Sequence, residues 1–210
     1  MTTHLGLQRI LLPSAQVSQL TTGSITLPSA RGAFVEPGDY ESIASTSLTS
    51  GNASVISFTS IPSTYKNLEV RGVLRAGASA VQQTLFIRFN NDSASNYADF
   101  IFTGNGSTTS TGGRGNQTEI EYYNFPGNTA TANVYGATVI SINDYTNTNK
   151  YKSVRCLSGF DTGGGTSGAT IHMAAGVWRS TSAISQIDIF FQITPTIQQY
   201  SELALYGIKG

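Results

Sequence analysis

From Tyr40 to the C-terminus, apolar and polar residues alternate in short runs. In Thr84-Leu-Phe-Ile-Arg-Phe89, Leu85, Ile87 and Phe89 share one face and Thr84, Phe86 and Arg88 the other. Asn67-Leu-Glu-Val-Arg-Gly-Val-Leu74 sets Leu68, Val70 and Leu74 against Glu69, Arg71 and Val73. Gln186-Ile-Asp-Ile-Phe-Phe191 and the stretch from Ala132 to Ile142 repeat the pattern. A period of two buries one face and wets the other, as antiparallel strands require. Leu203, Leu205 and Gly207 form one face of a final strand whose other face also carries an apolar residue, Ile208. Such a strand is expected to be central or to lie at a subunit contact.

Turn-forming clusters separate the runs: Thr49-Ser-Gly-Asn52, Asn90-Asn-Asp-Ser-Ala-Ser-Asn96, Gly104-Asn-Gly106, Gly112-Gly-Arg-Gly115, Asn143 to Asn149, and Gly163-Gly-Gly165. Pro62 fixes its own φ and holds Ile61 extended, which ends one strand before Leu68 opens the next. Strands at roughly 8–12-residue spacing with this punctuation point to a sandwich or barrel. The prediction is about ten strands, no helix, and an all-β, antiparallel, jelly-roll-like β-sandwich over residues 39–210.

Residues 1–38 follow neither period. Leu5, Leu7, Ile10, Leu11, Leu12, Leu20, Ile25 and Leu27 come in small groups broken by polar residues and by Pro13, Pro28 and Pro37. Burying each would contribute roughly 1.5–3 kcal/mol, whereas ordering the backbone costs about 1–2 kcal/mol per residue. The segment therefore reads as an extended N-terminal arm that anchors the chain to another component, through a preformed groove or strand addition to a sheet edge.

Composition narrows the function classes. The 210 residues carry 12 basic and 12 acidic side chains, and only 11% are charged, against about 25% in ordinary soluble proteins. A nucleic-acid binder needs a Lys/Arg excess to neutralise phosphate, and none is present. No run reaches the ~18 apolar residues of a membrane span, and no basic stretch precedes an apolar one as in a secretory signal. The expectation is synthesis without export and no membrane insertion. A single cysteine, Cys156, excludes an intrachain disulfide framework.

Candidate chemistry is sparse. A Ser-His-Asp site would have to use His172, in the strand-like run Ala169-Thr-Ile-His-Met-Ala174. Ser and Thr make up about a quarter of the chain, so a nearby hydroxyl carries no weight, and His172 reads as a surface strand histidine. Gly163-Gly-Gly-Thr-Ser167 lacks the lysine and the helix of a phosphate-binding loop. Asn90-Asn-Asp92 and Asn143-Asp144 offer the oxygen ligands calcium prefers, but each has one carboxylate and Asx residues build turns without metal. Sequons at Asn52, Asn91, Asn105 and Asn116 match what this Ser/Thr content produces by chance. No catalytic residue, cofactor or metal site is predicted. Tyr122, Tyr123 and Phe125 are candidates for stacking on a glycan or contacting another subunit, whereas Tyr65, Tyr97, Tyr206 and Trp178 read as packing residues.

Four stretches carry a resemblance: Asp39-Tyr-Glu-Ser-Ile-Ala44, Phe58 to Arg71, Ile87-Arg-Phe-Asn-Asn-Asp-Ser-Ala-Ser-Asn-Tyr97, and Ala204-Leu-Tyr-Gly-Ile-Lys-Gly210. Over residues 38–210 the chain resembles β-sandwich virion structural proteins of tailed bacteriophages, of the kind found in cyanophages and marine phages. The resemblance implies a non-enzymatic tail-fibre component located in the virion, with a capsid cement or decoration protein as the alternative and a polysaccharide hydrolase as a remote one. It also implies a homotrimer, contacts to other virion proteins through residues 1–38, and an outward sandwich that meets host surface glycans.

Overall fold

In a computed structural model of the protein, residues 39–161, 169–192 and 196–210 are described, with the backbone but not the side chain of Tyr123. The arm residues Leu5, Leu7, Ile10, Leu11, Leu12, Leu20, Ile25 and Leu27 lie outside the described residues, as does the Gly163–Gly165 cluster.

Twelve strands account for the described chain. They are β1 (Tyr40–Ser47), β2 (Ile56–Phe58), β3 (Asn67–Leu74), β4 (Gln82–Phe89), β5 (Tyr97–Gly104) and β6 (Thr109–Gln117), followed by β7 (Ile120–Pro126), β8 (Gly136–Asn143), β9 (Lys152–Phe160), β10 (Thr170–Trp178), β11 (Ile187–Phe191) and β12 (Glu202–Ile208). An eight-stranded sheet runs β1-β12-β3-β8-β9-β10-β5-β6 and a four-stranded sheet runs β2-β11-β4-β7. All named pairings are antiparallel. The pairs nest: β5 with β6, β4 with β7 and β2 with β11. β3 would close the series against β10, but β8 and β9 are inserted between them. This nesting is the wrapping of a jelly roll, widened by the β8–β9 pair and by β12 and β1 beyond β3.

Alternation sets what fills the interior. Leu85, Ile87 and Phe89 of β4, Ile187 and Ile189 of β11, and Leu68, Val70 and Leu74 of β3 are buried, as their spacing predicts. Leu203 and Leu205 are buried on β12, one strand in from the sheet edge. Phe89, Tyr97 and Trp178 pack together, with ring centroids 5.7–6.4 Å apart. The Trp178 Nε1–H donates to Asp92 Oδ2 at 2.7 Å, so the indole's one polar group is satisfied at the core's margin.

Two expectations are corrected. Gly112-Gly-Arg-Gly115 is not a turn; it lies within β6, where Gly112, Gly113 and Arg114 pair with Ile101, Phe100 and Asp99 and Gly115 falls at an irregularity in the register. The Phe100 ring spreads over Gly113, where a Cβ would come within 3.2 Å of it, and covers backbone that glycine leaves bare. The run from Ala132 to Ile142 becomes a strand only at Gly136. Before it the chain wraps around the buried Arg75, whose guanidinium donates to the carbonyls of Thr131 and Val134 at 2.8 Å each and of Ala130 at 3.0 Å. Asn133 turns there with φ 64°.

The C-terminal strand leans on a tyrosine. Tyr65 lies against Gly207, where a Cβ would sit 2.3 Å from the ring, and its hydroxyl donates to Glu41 Oε2 at 2.9 Å. Gly207→Ala is expected to destabilise the fold by about 1–3 kcal/mol through overpacking, read as a lower midpoint in urea unfolding. The Cys156 thiol is buried and pushed up to about 12 by loss of solvation. It should resist alkylation in the folded protein and react on unfolding, so labelling reports the same transition.

Candidate functional site

Tyr122 and Phe125 do not present their rings to solvent. Both are buried against β4, opposite Leu85 and Gln83 respectively. They are three residues apart and would ordinarily face opposite ways. A bulge at Tyr123–Asn124, with Asn124 at φ 32°, inserts the extra residue that turns both inward. Phe125 packs edge-on against Phe191, centroids 6.0 Å apart. The expectation of a glycan or subunit contact by these two rings is therefore corrected to core packing. Tyr123 shares the strand, and its side chain lies outside the described residues.

The outer face of the four-stranded sheet supplies a different site. Cross-strand register sets Ser57, Asp188 and Arg88 in one row and Phe190, Phe86 and Glu121 in the next. Above them lies a groove of about 800 Å³, with Gln117 and Arg114 from β6 at one side and Asn91 and Gln186 at one end. That volume falls within the range of small-molecule sites.

Each charge in the groove is held. Asp188 accepts from Ser57 Oγ at 2.6 Å and from Gln186 Nε2 at 2.9 and 3.0 Å. Gln186 and Asn91 exchange amide hydrogen bonds of 3.1 Å. Arg88 reaches Glu119 at 3.1 Å and lies over the Phe190 ring, 5.0 Å from its centroid. Arg114 crosses from one sheet to the other, meeting Asp99 of β5 at 2.7 Å and Glu121 of β7 at 2.6 Å, with Phe86 beneath it. Asp99 also accepts the Glu121 backbone N–H at 3.0 Å. Burial raises the Glu121 carboxyl's pKa, with Arg114 working against the rise.

The outer face of the eight-stranded sheet is the opposite in character. Phe102, Met173, Leu157 and Val139 form one continuous row across β5, β10, β9 and β8. Phe100 and Ile171 flank it. Met173 is 59% exposed, Phe100 56%, Ile171 55%, Leu157 49% and Phe102 41%. Monomers rarely expose contiguous apolar surface beyond a few hundred Å².

His172 is inside rather than at the surface, since its neighbours Ile171 and Met173 take the outer face. Its Nδ1 meets Thr103 Oγ1 and its Nε2 meets Thr170 Oγ1, each at 2.9 Å. No carboxylate orients it through these contacts. Of the two Asx clusters, Asp92 caps its own turn, accepting from the Ala94 N–H and the Asn96 amide at 2.9 Å each. Asp144 is ion-paired with Lys150 and Lys66, which hold its carboxyl down at about 2. Among the described residues no group of three or more His, Cys, Asp or Glu side chains is arranged to hold a metal ion.

Compared with family models, curated proteins and solved structures, the chain has no match.

Burial pushes the His172 pKa down to about 4, against about 6.5 when unfolded. The unfolded chain binds this proton first, so the stability contribution is full above about pH 6.5 and is lost as pH falls towards 4. The expected slope is up to about 1.4 kcal/mol per pH unit. His172→Gln should flatten that part of the stability–pH curve in chemical unfolding; an unchanged slope would place the proton elsewhere.

Proposed function

We propose that this protein is a non-enzymatic structural subunit of a tailed-phage particle: a homotrimeric tail fibre whose sandwich faces outward and meets host surface glycans. The observation that carries the self-assembling part is the apolar row Phe102–Met173–Leu157–Val139 with Phe100 and Ile171 beside it. A large side chain can bury 150–250 Å², so the five half-exposed ones present on the order of 500 Å². A standard interface takes about 800 Å² from each partner, and Thr111, Ser141 and Val177 around the row supply a rim. In the adjoining row Arg155 lies between Ala175 and Ser141, and Glu69 lies beyond Ser141, while Arg71 follows Val139 in the apolar row itself. Glu69 and Arg71 pair with each other at the β3 end, so a second copy of the same surface meets few uncompensated charges, and cyclic symmetry closes such contacts.

The strand next to this face adds to the case. β6 is an edge strand, its residues exposed except for Arg114, Gln117 and the backbone paired to β5. Its free edge can accept a strand. The phage assignment rests on the four stretches of resemblance, and residues 1–38 take the role of joining the fibre to the virion. The groove carboxylates are engaged by Arg88, Arg114, Ser57 and Gln186, which favours binding over bond cleavage.

Light scattering of the full-length protein should give three times the chain mass. Met173→Glu combined with Phe102→Ser should give a monomer with unchanged β-sheet circular dichroism. A wild-type monomer would overturn self-assembly. Antibody labelling of intact particles should mark the tail; label spread over the capsid would mean a decoration protein instead.

A further inference from the structure

We infer that the groove over β2, β11, β4 and β7 binds a neutral oligosaccharide, with Asp188, Gln186, Arg88 and Phe190 as its contact residues. The inference deepens the proposed glycan contact and moves it from the buried Tyr122 and Phe125 to the opposite face of the same sheet.

Charge balance selects the ligand class. Arg88 and Arg114 line the groove, but Glu119, Glu121 and Asp99 already neutralise them, and among the described residues Asp188 hydrogen-bonds to the neutral Ser57 and Gln186. The local sum is negative. A sulfated or carboxylated sugar, a phosphate or a nucleic acid would be repelled, since such ligands need uncompensated cations. A single cation has no cluster of acids to hold it among the described residues.

What the groove does offer is paired donors and acceptors at close spacing. Adjacent strands lie about 4.8 Å apart, so the Ser57–Asp188–Arg88 row sets a hydroxyl, an acceptor-only carboxylate and a donor-only guanidinium side by side. Vicinal sugar hydroxyls both donate and accept, and can bridge Asp188 to Arg88. Gln186, Asn91 and Gln117 bring amides that do both. Phe190 and Val55 supply an apolar step in the same groove; Val55 is 41% exposed and Phe190 is half-buried. A pyranose has an apolar face and a rim of hydroxyls, which matches a partly apolar pocket with a few fixed polar groups. The Ser57 and Gln186 hydrogen bonds fix Asp188 before ligand arrives, which lowers the ordering cost of binding.

The test uses the full-length oligomer and an immobilised panel of neutral oligosaccharides built on glucose, galactose, mannose and N-acetylglucosamine, each with a sialylated or sulfated counterpart. At least one neutral series should bind, and its affinity should change little with added salt. Asp188→Asn and Phe190→Ala should each weaken it by about tenfold or more, the loss of about 1.4 kcal/mol. Met173→Glu, on the far face, should leave the affinity per chain unchanged. Circular dichroism and the urea midpoint establish that each variant folds. Binding to acidic sugars alone, to none of the panel, or with equal strength in both groove variants overturns the inference. Those outcomes are distinct from failure of the structural-subunit reading, which would appear as a monomer in light scattering whatever the sugar result.

Discussion

One constraint organises the molecule: two sheets of unequal width share a single interior, and a strand can bury only every second residue. Twelve strands divide as eight and four, so the narrow sheet cannot cover the broad one. The strands at the ends of the broad sheet show the consequence. β6 is almost wholly exposed and, apart from Arg114, is built of Thr, Ser, Gly, Asn and Gln, while β1 has no fully buried residue. Where the sheets do overlap, alternation fills the interior with Leu, Ile, Phe and Tyr and leaves each sheet one outward face. Those two outward faces differ in chemistry, one apolar and one polar, and the proposed association and recognition surfaces are assigned to them.

Keeping the interior closed requires polar groups as well as apolar ones. At the side where β6 faces β7, Asp99 accepts a backbone N–H from the opposite sheet and binds Arg114, which in turn reaches Glu121. Removing one partner of such a buried arrangement strands the other charge, a loss of about 3–5 kcal/mol in comparable cases. The three groups therefore tie the sheets together beside the two-residue connection, Thr118–Glu119, by which the chain passes from β6 to β7. Two further buried cations act on loops rather than on carboxylates. Arg75 gathers the carbonyls of residues 128–134, and Lys152 gathers those of Asn147, Lys150 and Thr181. Buried charges are normally paired with opposite ones. Here converging carbonyl dipoles do the same work and pin the two loops to the sandwich ends.

Most of the fold is legible in the chain because alternation is a local signal. The faces of β3, β4, β11 and β12 follow from spacing alone, and Pro62 and the Asn-rich clusters mark the turns. Misreadings arise where the rule is broken by something non-local. Tyr122 and Phe125 both point inward only because a bulge at Tyr123–Asn124 resets the alternation, and the Asn124 φ that permits it has no motif. The Gly112–Gly115 run reads as a turn because its side chains are missing; the Phe100 ring that covers it lies on β5. The groove is the least legible part. Its residues come from β2, β4, β6 and β11 and the segments beside them, so only the strand order brings them together. A usable trace was present in Phe86, Arg88, Asp188 and Phe190, which occupy the outward positions of two strands that prove to be neighbours. Aromatic and charged side chains paired across outward positions say more about a binding face than aromatics clustered in sequence.

The two outer faces lie on opposite sides of the sandwich, and their chemistry makes them independent. The apolar row on the broad sheet gains by excluding water, and that gain is insensitive to salt and pH over the ordinary range. The groove on the narrow sheet must stay wet to admit a polar ligand, and its ion pairs are satisfied whether or not the other face is covered. No residue is shared between them: outward positions of β5, β8, β9 and β10 form one, and positions on and beside β2, β4, β6 and β11 form the other. Arg114 and Gln117 lie near both, since β6 borders the apolar row while these two side chains line the groove. A chain with its association surface and its recognition surface back to back can assemble without occluding what it presents. In the proposed arrangement every added subunit would multiply the grooves facing outward, so that individually weak sugar contacts would combine through effective concentration.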